Sequence, residues 1–178
     1  MATVTVYFDC SDGGPSDPDG VWTNDSNAFN GSLSNAATSS ADGTTSVGYL
    51  KGDGTNATDL GGTITQVRAR HYDSNGSSSS GLARQAYIYT DGLAESLGNT
   101  SRDAASTAGY SSYTTLSTPS GGWTWSKIQA LETKIISSGA DTVTASIYIV
   151  ELEVTYTPPT GGTLTGVSTM TGVSTITF

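Results

Sequence analysis

Residues 141–158 read DTVTASIYIVELEVTYTP, and this stretch decides the fold class. Val143, Ala145, Ile147 and Ile149 share one parity, while Tyr148, Val150, Leu152, Val154 and Tyr156 share the other. Period-two alternation of β-branched and aromatic residues marks a strand, and Pro158 and Pro159 end it by removing backbone donors. The apolar phase changes near 149–150, which predicts a bulge or a strand covered on both faces. Glu151 and Glu153 are two apart and therefore share a face. Carboxylates adjacent on one strand read as a solvated face, because a glycosidase pair normally flanks a cleft.

Immediately upstream, WSKIQALETKIISSG (125–139) carries Ile128, Leu131 and Ile135 at i, i+3 and i+7. Ser126 followed by Gln129 forms a capping box and Gly139 is a natural stop, so the pattern predicts a short helix over 126–138. Further out, GTITQVRARHYD (62–73) and LARQAYIYTDG (82–92) alternate and read as two strands. Joined through SNGSSSSG, they resemble a hairpin with a long loop. ATVTVYF (2–8), TTSVGYL (44–50) and YSSYTTL (110–116) supply shorter strands. The turn-rich CSDGGPSDPDG predicts an exposed acidic loop over 9–20, and KGDGTNATDLGG (51–62) a second loop. The expectation is an all-β, antiparallel, jelly-roll-like β-sandwich over residues 1–158, with one short helix and an extended C-terminal arm over 159–178.

The arm contains TGVSTM followed by TGVSTI and has no charged side chain. Leu164, Met170, Ile176 and Phe178 share one parity, Val167 and Val173 the other. A β-prone, uncharged segment cannot bury itself and aggregates if left free, so docking as a strand on its own body or a neighbour is expected.

Composition agrees with a β-rich chain. Of 178 residues, 35% are hydrophobic and only 13% charged, with 22 glycines and about 55 Ser plus Thr. Good helix formers are few, and no apolar run reaches the ~18 residues that span a bilayer. No basic and apolar leader opens the sequence, so a protein made in the cytoplasm without a signal peptide is expected. The formal net charge of −9 speaks against nucleic acid, whose phosphates need cations, and against an anionic membrane surface. Asp9, Asp12, Asp17, Asp19, Asp25, Asp42, Asp53 and Asp59 face only Lys51 in the first 60 residues, whereas all four arginines lie between 68 and 102. Such asymmetry suits self-assembly of copies.

Candidate chemistry is sparse. The lone His71 sits mid-strand and reads as a packing residue, and Cys10 as an unreactive thiol in an acidic setting. One Cys and one His exclude a standard zinc site. Asp9, Asp12, Asp17 and Asp19 offer hard oxygens for a structural calcium, although their spacing is not that of an EF-hand and turn formation explains them too. No cofactor is expected otherwise. Exposed aromatic rings bind sugars through their apolar faces, and Trp22, Tyr110, Tyr113, Trp123 and Trp125 are the candidates; the competing reading has Trp123 and Trp125 anchoring the helix on the sheet. No constellation of acid, base or metal ligands is visible, so the chain is expected not to be an enzyme.

Two segments carry a family resemblance: VWTNDSNAFNGSLSNAATSS (21–40), and GGWTWSKIQALETKI followed by SIYIVELEVTYTP. Trp-Thr-Trp opening a short helix, then a last strand ending V-T-Y-T-P, resembles a β-sandwich module of tailed-bacteriophage virion structural proteins. The resemblance spans about residues 20–157 and brings no catalytic residues. It implies a location on the virion surface, as a capsid decoration or cement protein on the major capsid or another virion protein, and burial of exposed edge strands between copies suits a homotrimer. The alternatives are a tail or fibre component, or a carbohydrate-binding module for cell-surface glycans.

Overall fold

The central strand of the molecule is Val143–Thr157, the stretch quoted above. In the computed structural model, which describes residues 1–18, 20–41, 49–75, 83–103, 107–138 and 143–159, it is the last of eleven strands. In chain order these are β1 (Ala2–Ser16), β2 (Trp22–Thr23), β3 (Ala37–Ala41), β4 (Tyr49–Thr55), β5 (Thr63–Asn75), β6 (Ala83–Tyr89), β7 (Ser96–Asp103), β8 (Gly109–Tyr110), β9 (Thr114–Thr115), β10 (Glu132–Ser138) and β11 (Val143–Thr157). One short helix, α1 (Trp125–Gln129), and two 3-10 turns complete the described residues. All pairings are antiparallel, as expected for an all-β sandwich.

The first sheet is built on β11. Its first half pairs with β3 and its second half with β1, from Ala2↔Tyr156 to Tyr7↔Glu151. On the other side β5 runs its whole length, with Leu152↔Ala69 and Val154↔Val67, and β8 and β9 add to the far edge of β5. The predicted phase change is a register shift between Ile147 and Ile149. Beyond it Ile149, Val150, Glu151 and Leu152 are all buried, so this part of the strand is covered on both faces.

The second sheet has the order β1-β4-β10-β6-β7. β1 belongs to both layers: at Phe8↔Thr55 it leaves β11 and continues along β4 to Ser16. The expected loop over 9–20 is therefore corrected, because residues as far as Ser16 pair along the sheet edge. The turn-forming composition shows instead as irregularity. The register shifts on both sides of Gly13, and Cys10 sits at φ 57. Edges irregular in this way resist further pairing.

Further expectations are corrected. Only Trp125–Gln129 is helical, and Glu132–Ser138 is the middle strand of the second sheet, between β4 and β6. Ile135 sits opposite both Leu50 and Ala86, so ladders on two sides outweigh a helical stripe whose second half, Thr133-Lys134-Ile135-Ile136, has three β-branched residues of four. The helix cap is Thr124, whose Oγ1 accepts from the Lys127 N–H at 3.2 Å, rather than Ser126. The segments 62–73 and 82–92 are strands, but no hairpin joins them: β5 pairs with β11 and β6 with β10, in opposite layers. The proposed loop over 51–62 begins only after Thr55, and the strand over 44–50 falls mainly on residues 42–48, outside the described residues.

The core lies between the layers, where Phe8, Leu50, Ile88, Leu97, Ile128, Leu131, Ile135, Ile147 and Leu152 are fully enclosed. Burying each such side chain contributes about 1.5–3 kcal/mol. The inward residues of β5 are Val67, Ala69, His71 and Asp73, so Arg68, Arg70 and Tyr72 point outward. His71 is the packing residue expected. Its Nδ1 lies 2.6 Å from Thr100 Oγ1 on β7, and its backbone N–H donates to Ser111 Oγ at 3.0 Å. Beside it, Arg102 donates to Asp73 Oδ1 at 2.5 Å, which ties the two layers together. From residue 160 onward the arm, with Leu164, Val167, Met170, Val173, Ile176 and Phe178, lies outside the described residues.

Candidate functional site

Alternation along β5 and β11 puts Arg68, Arg70, Glu151 and Glu153 on the outer face of the first sheet, and the register sets them in pairs: Arg70↔Glu151 and Arg68↔Glu153. Arg70 Nε donates to Glu151 Oε1 at 2.5 Å. Arg68 Nε donates to Glu153 Oε1 at 2.9 Å, and its Nη2 to the same oxygen. The chain then returns through β8 and β9 and lays two tyrosines on these pairs. The Arg70 guanidinium lies 3.7 Å from the Tyr110 ring centre and 4.4 Å from that of Tyr113, while Arg68 lies 4.7 Å from Tyr113. Tyr72 meets Tyr110 and Tyr148 edge to face at 4.8 and 5.4 Å, which extends the aromatic row across three strands.

The electrostatics of this face are nearly closed. Glu151 is only 5% exposed, so the solvated face expected for it is corrected: rings and an arginine cover it. Its Oε1 also accepts from the Tyr113 hydroxyl at 3.4 Å. Partial burial opposes the Arg70 charge, but the hydrogen bond and charge of Glu151 outweigh it and raise the guanidinium above its ordinary value. Burial first, and then the Glu151 charge, push the Tyr110 phenol up against the opposing pull of Arg70. Tyr113 is raised chiefly by burial, with Arg70 opposing and Glu151 and Glu153 adding to the shift. Both phenols stay neutral donors near pH 7. Tyr110 is the ring most open to solvent, at 37%.

A concave site lies at the Thr63 end of the same sheet, with a volume of about 310 Å³. It is lined by Trp123 to Ser126 and Gln129 of the helix segment, by Asp59, Gly61 and Gly62 of the loop before β5, and by Ile64. The turn that opens it depends on Gly62, which has φ +75 and whose added Cβ would meet the Thr157 carbonyl oxygen at 2.0 Å.

The structure thus sorts the sugar-binding candidates. Tyr110 and Tyr113 come together over Arg70, and Trp123 is half-buried and lines the cavity. Trp22 and Trp125 belong to the core. Trp125 donates its indole N–H to the Gly61 carbonyl at 2.9 Å and stacks edge-on to Tyr156, so it anchors the helix. Arg68, Arg70, Tyr72 and Tyr148 were not among the candidates. The signal for them is the match between Arg-Ala-Arg on one strand and Glu-Leu-Glu on another, legible only once the two are in register.

The acidic candidates serve local structure. Asp9 Oδ1 accepts from the Ser11 N–H at 3.1 Å and Asp17 Oδ2 from the Trp22 N–H at 2.8 Å; Asp12 lies on β1, and Asp19 is outside the described residues. Among the described residues no three His, Cys, Asp or Glu side chains converge to hold a metal ion. Burial, reinforced by Asp9, Asp53 and Asp25 against a backbone hydrogen bond, pushes the Cys10 thiol up to about 11. On the second sheet, Glu132 is 2% exposed, and its Oε1 accepts from Lys51 Nζ at 2.9 Å and from the Gly92 N–H at 3.1 Å.

The fold and these surfaces define an all-β sandwich of jelly-roll type. No protein-family model matches the chain, and no curated relative matches it. Among solved structures it is similar to a CBM4 carbohydrate-binding module, at 12% identity and a TM-score of 0.45, covering 85% of this chain and 94% of that one. It is also similar to the arabinose-bound MgGH51 α-L-arabinofuranosidase, at 13% identity and a TM-score of 0.44 over 86% of this chain and 22% of that one. A third likeness is to the enzymatically active domain of tailspike protein 4 of bacteriophage CBA120, at 8% identity and a TM-score of 0.45, over 84% of this chain and 19% of that one. At these scores and identities the likenesses carry no argument about function. The expectation of a chain that is not an enzyme is nevertheless corrected, since the similar structures include an arabinofuranosidase and an enzymatically active tailspike domain.

Proposed function

We propose that the protein is a carbohydrate-binding β-sandwich that takes its ligand on the outer face of the first sheet. The observation that supports this is the placement of Tyr110 and Tyr113 on an arginine held by Glu151, beside Tyr72 and Tyr148. Rings braced in this way lose little freedom when a ligand docks. Each ring offers an apolar face to the C–H face of a sugar, and the phenols and guanidinium edges offer donors to its hydroxyls. The closed charge pairs favour a neutral ligand over an ionic one.

The resemblance to tailed-phage virion proteins adds a location to this proposal: attachment of a virion to cell-surface glycans. Capsid decoration and trimer formation draw no support from the described residues.

The test is a glycan array followed by titration of the best ligand. Tyr110→Ala is expected to weaken binding about tenfold, the ~1.4 kcal/mol typical of one stacked ring. A broad array without a ligand, or a Tyr110→Ala protein that binds as tightly as the parent, overturns the reading.

A further inference from the structure

The cavity beside Trp123 is separate from the tyrosine face. Ile64, which lines it, and Arg68, which lies under Tyr113, are four residues apart on β5. At strand rise this is roughly 13 Å, too far for one sugar residue to touch both.

The polar groups around the cavity are half engaged. Asp59 Oδ1 accepts from the Gly61 N–H at 2.8 Å, which orients the carboxylate and leaves its second oxygen as an acceptor. Gln129 Nε2 donates to the Ala57 carbonyl at 3.0 Å, which fixes the amide and leaves its oxygen. Thr124 and Ser126 share a hydrogen bond at 3.0 Å between their hydroxyls, each with further capacity. Against these stand the apolar surfaces of Trp123 and Ile64. Among the described residues no cation lines the cavity. Nearby Lys127 is spent on the Ser120 and Gly122 carbonyls, at 2.6 and 2.8 Å.

From this geometry we infer that the cavity is a second binding site, for one neutral pyranose or pentose residue at the end of a glycan chain, stacked on Trp123 and hydrogen-bonded by Asp59 and Gln129. A sugar ring has an apolar face and a polar rim, which matches a cavity lined by both indole surface and hydrogen-bond acceptors. The volume lies at the lower limit of small-ligand sites, enough for a single ring rather than a chain. A carboxylate without a compensating cation disfavours uronic and sialic acids. This inference does not depend on the tyrosine face, since the two surfaces share no residue.

The experiment uses the full chain with ¹⁵N-labelled tryptophan, which gives three indole signals. The probes are the methyl glycosides of glucose, galactose, mannose and xylose, with methyl glucuronide as the anionic control. At least one neutral glycoside is expected to move the Trp123 signal with millimolar affinity, and glucuronide to leave it in place. Asp59→Ala, at an exposed position, is expected to weaken that binding at least threefold, Trp123→Ala to lower the ligand's saturation-transfer signal to whatever the tyrosine face contributes, and Tyr110→Ala to leave the titration of the Trp123 signal unchanged. The inference is overturned if no neutral glycoside moves the Trp123 signal at tens of millimolar, if glucuronide binds equally, or if Asp59→Ala binds like the parent. Should Trp123→Ala lose its fold, the Asp59 variant decides alone.

Discussion

Replacing Arg70 by Met tests the physical account of the first-sheet face. The variant keeps an unbranched stem over Tyr110 and Tyr113 but removes the cation beside Glu151, which is only 5% exposed. A buried charge left without its partner costs about 3–5 kcal/mol; because the Arg70 side chain is itself 27% exposed, water reaches the pair and about 2 kcal/mol is expected here. Two cation–π contacts are lost as well, partly replaced by sulfur–ring contacts, for about 1 kcal/mol more. The reverse change, Glu151→Gln, leaves a cation that water can solvate and an amide oxygen that still accepts from Nε, and costs about 1 kcal/mol. In the double variant neither charge remains, so the loss is about 2 kcal/mol and the coupling about 2 kcal/mol. Urea denaturation of the four proteins at constant m-value measures the cycle, and the Arg70→Met melting point should fall by about 6–12 °C. Additivity within about 0.3 kcal/mol, or a Glu151→Gln loss larger than that of Arg70→Met, would refute the reasoning.

Other predictions follow from the same structure. Gly62→Ala should destabilise by about 3 kcal/mol or more, because the new Cβ meets a backbone oxygen at positive φ, whereas Gly92→Ala, at φ +68 in open space, should cost about 1 kcal/mol; thermal melts compare the two. Cys10, pushed up to about 11, should react with iodoacetamide near pH 8 on the order of a hundredfold more slowly than a free thiol, which mass spectrometry over time can follow. With the folded value above the unfolded one, the Cys10 contribution is complete below about pH 9 and is lost as pH rises through about 11; Tyr110 and Tyr113 shift in the same direction, so stability should fall at alkaline pH. A chain ending at residue 159 should keep the sandwich, whose described strands end at Thr157, and light scattering beside the full chain tests the arm as an assembly element. Equal masses for the two would remove that role.

What residues 1–159 disclose by themselves is local. β5, β6 and β11 are legible because period-two alternation needs no partner to be seen, and the bulge near Ile149 shows as a change of apolar phase within one strand. Tyr110 and Tyr113 could be named as ring donors from residue type alone. Tertiary structure decided the rest. Residues 132–138 carry a helical stripe, yet Ile135 lies between Leu50 and Ala86, and two ladders outweigh an intrinsic preference of a few tenths of a kcal/mol per residue. The 62–73 and 82–92 strands part into opposite layers because pairing is settled by the apolar faces that meet across the core, not by nearness in sequence. Burial sent Trp22 and Trp125 inward and left Trp123 half-buried along a cavity, a distinction that residue type does not contain. The arginine–glutamate–tyrosine face is decided last of all: it exists because β5 and β11 meet in one register, and a slip of one residue would turn every one of its charges into the core.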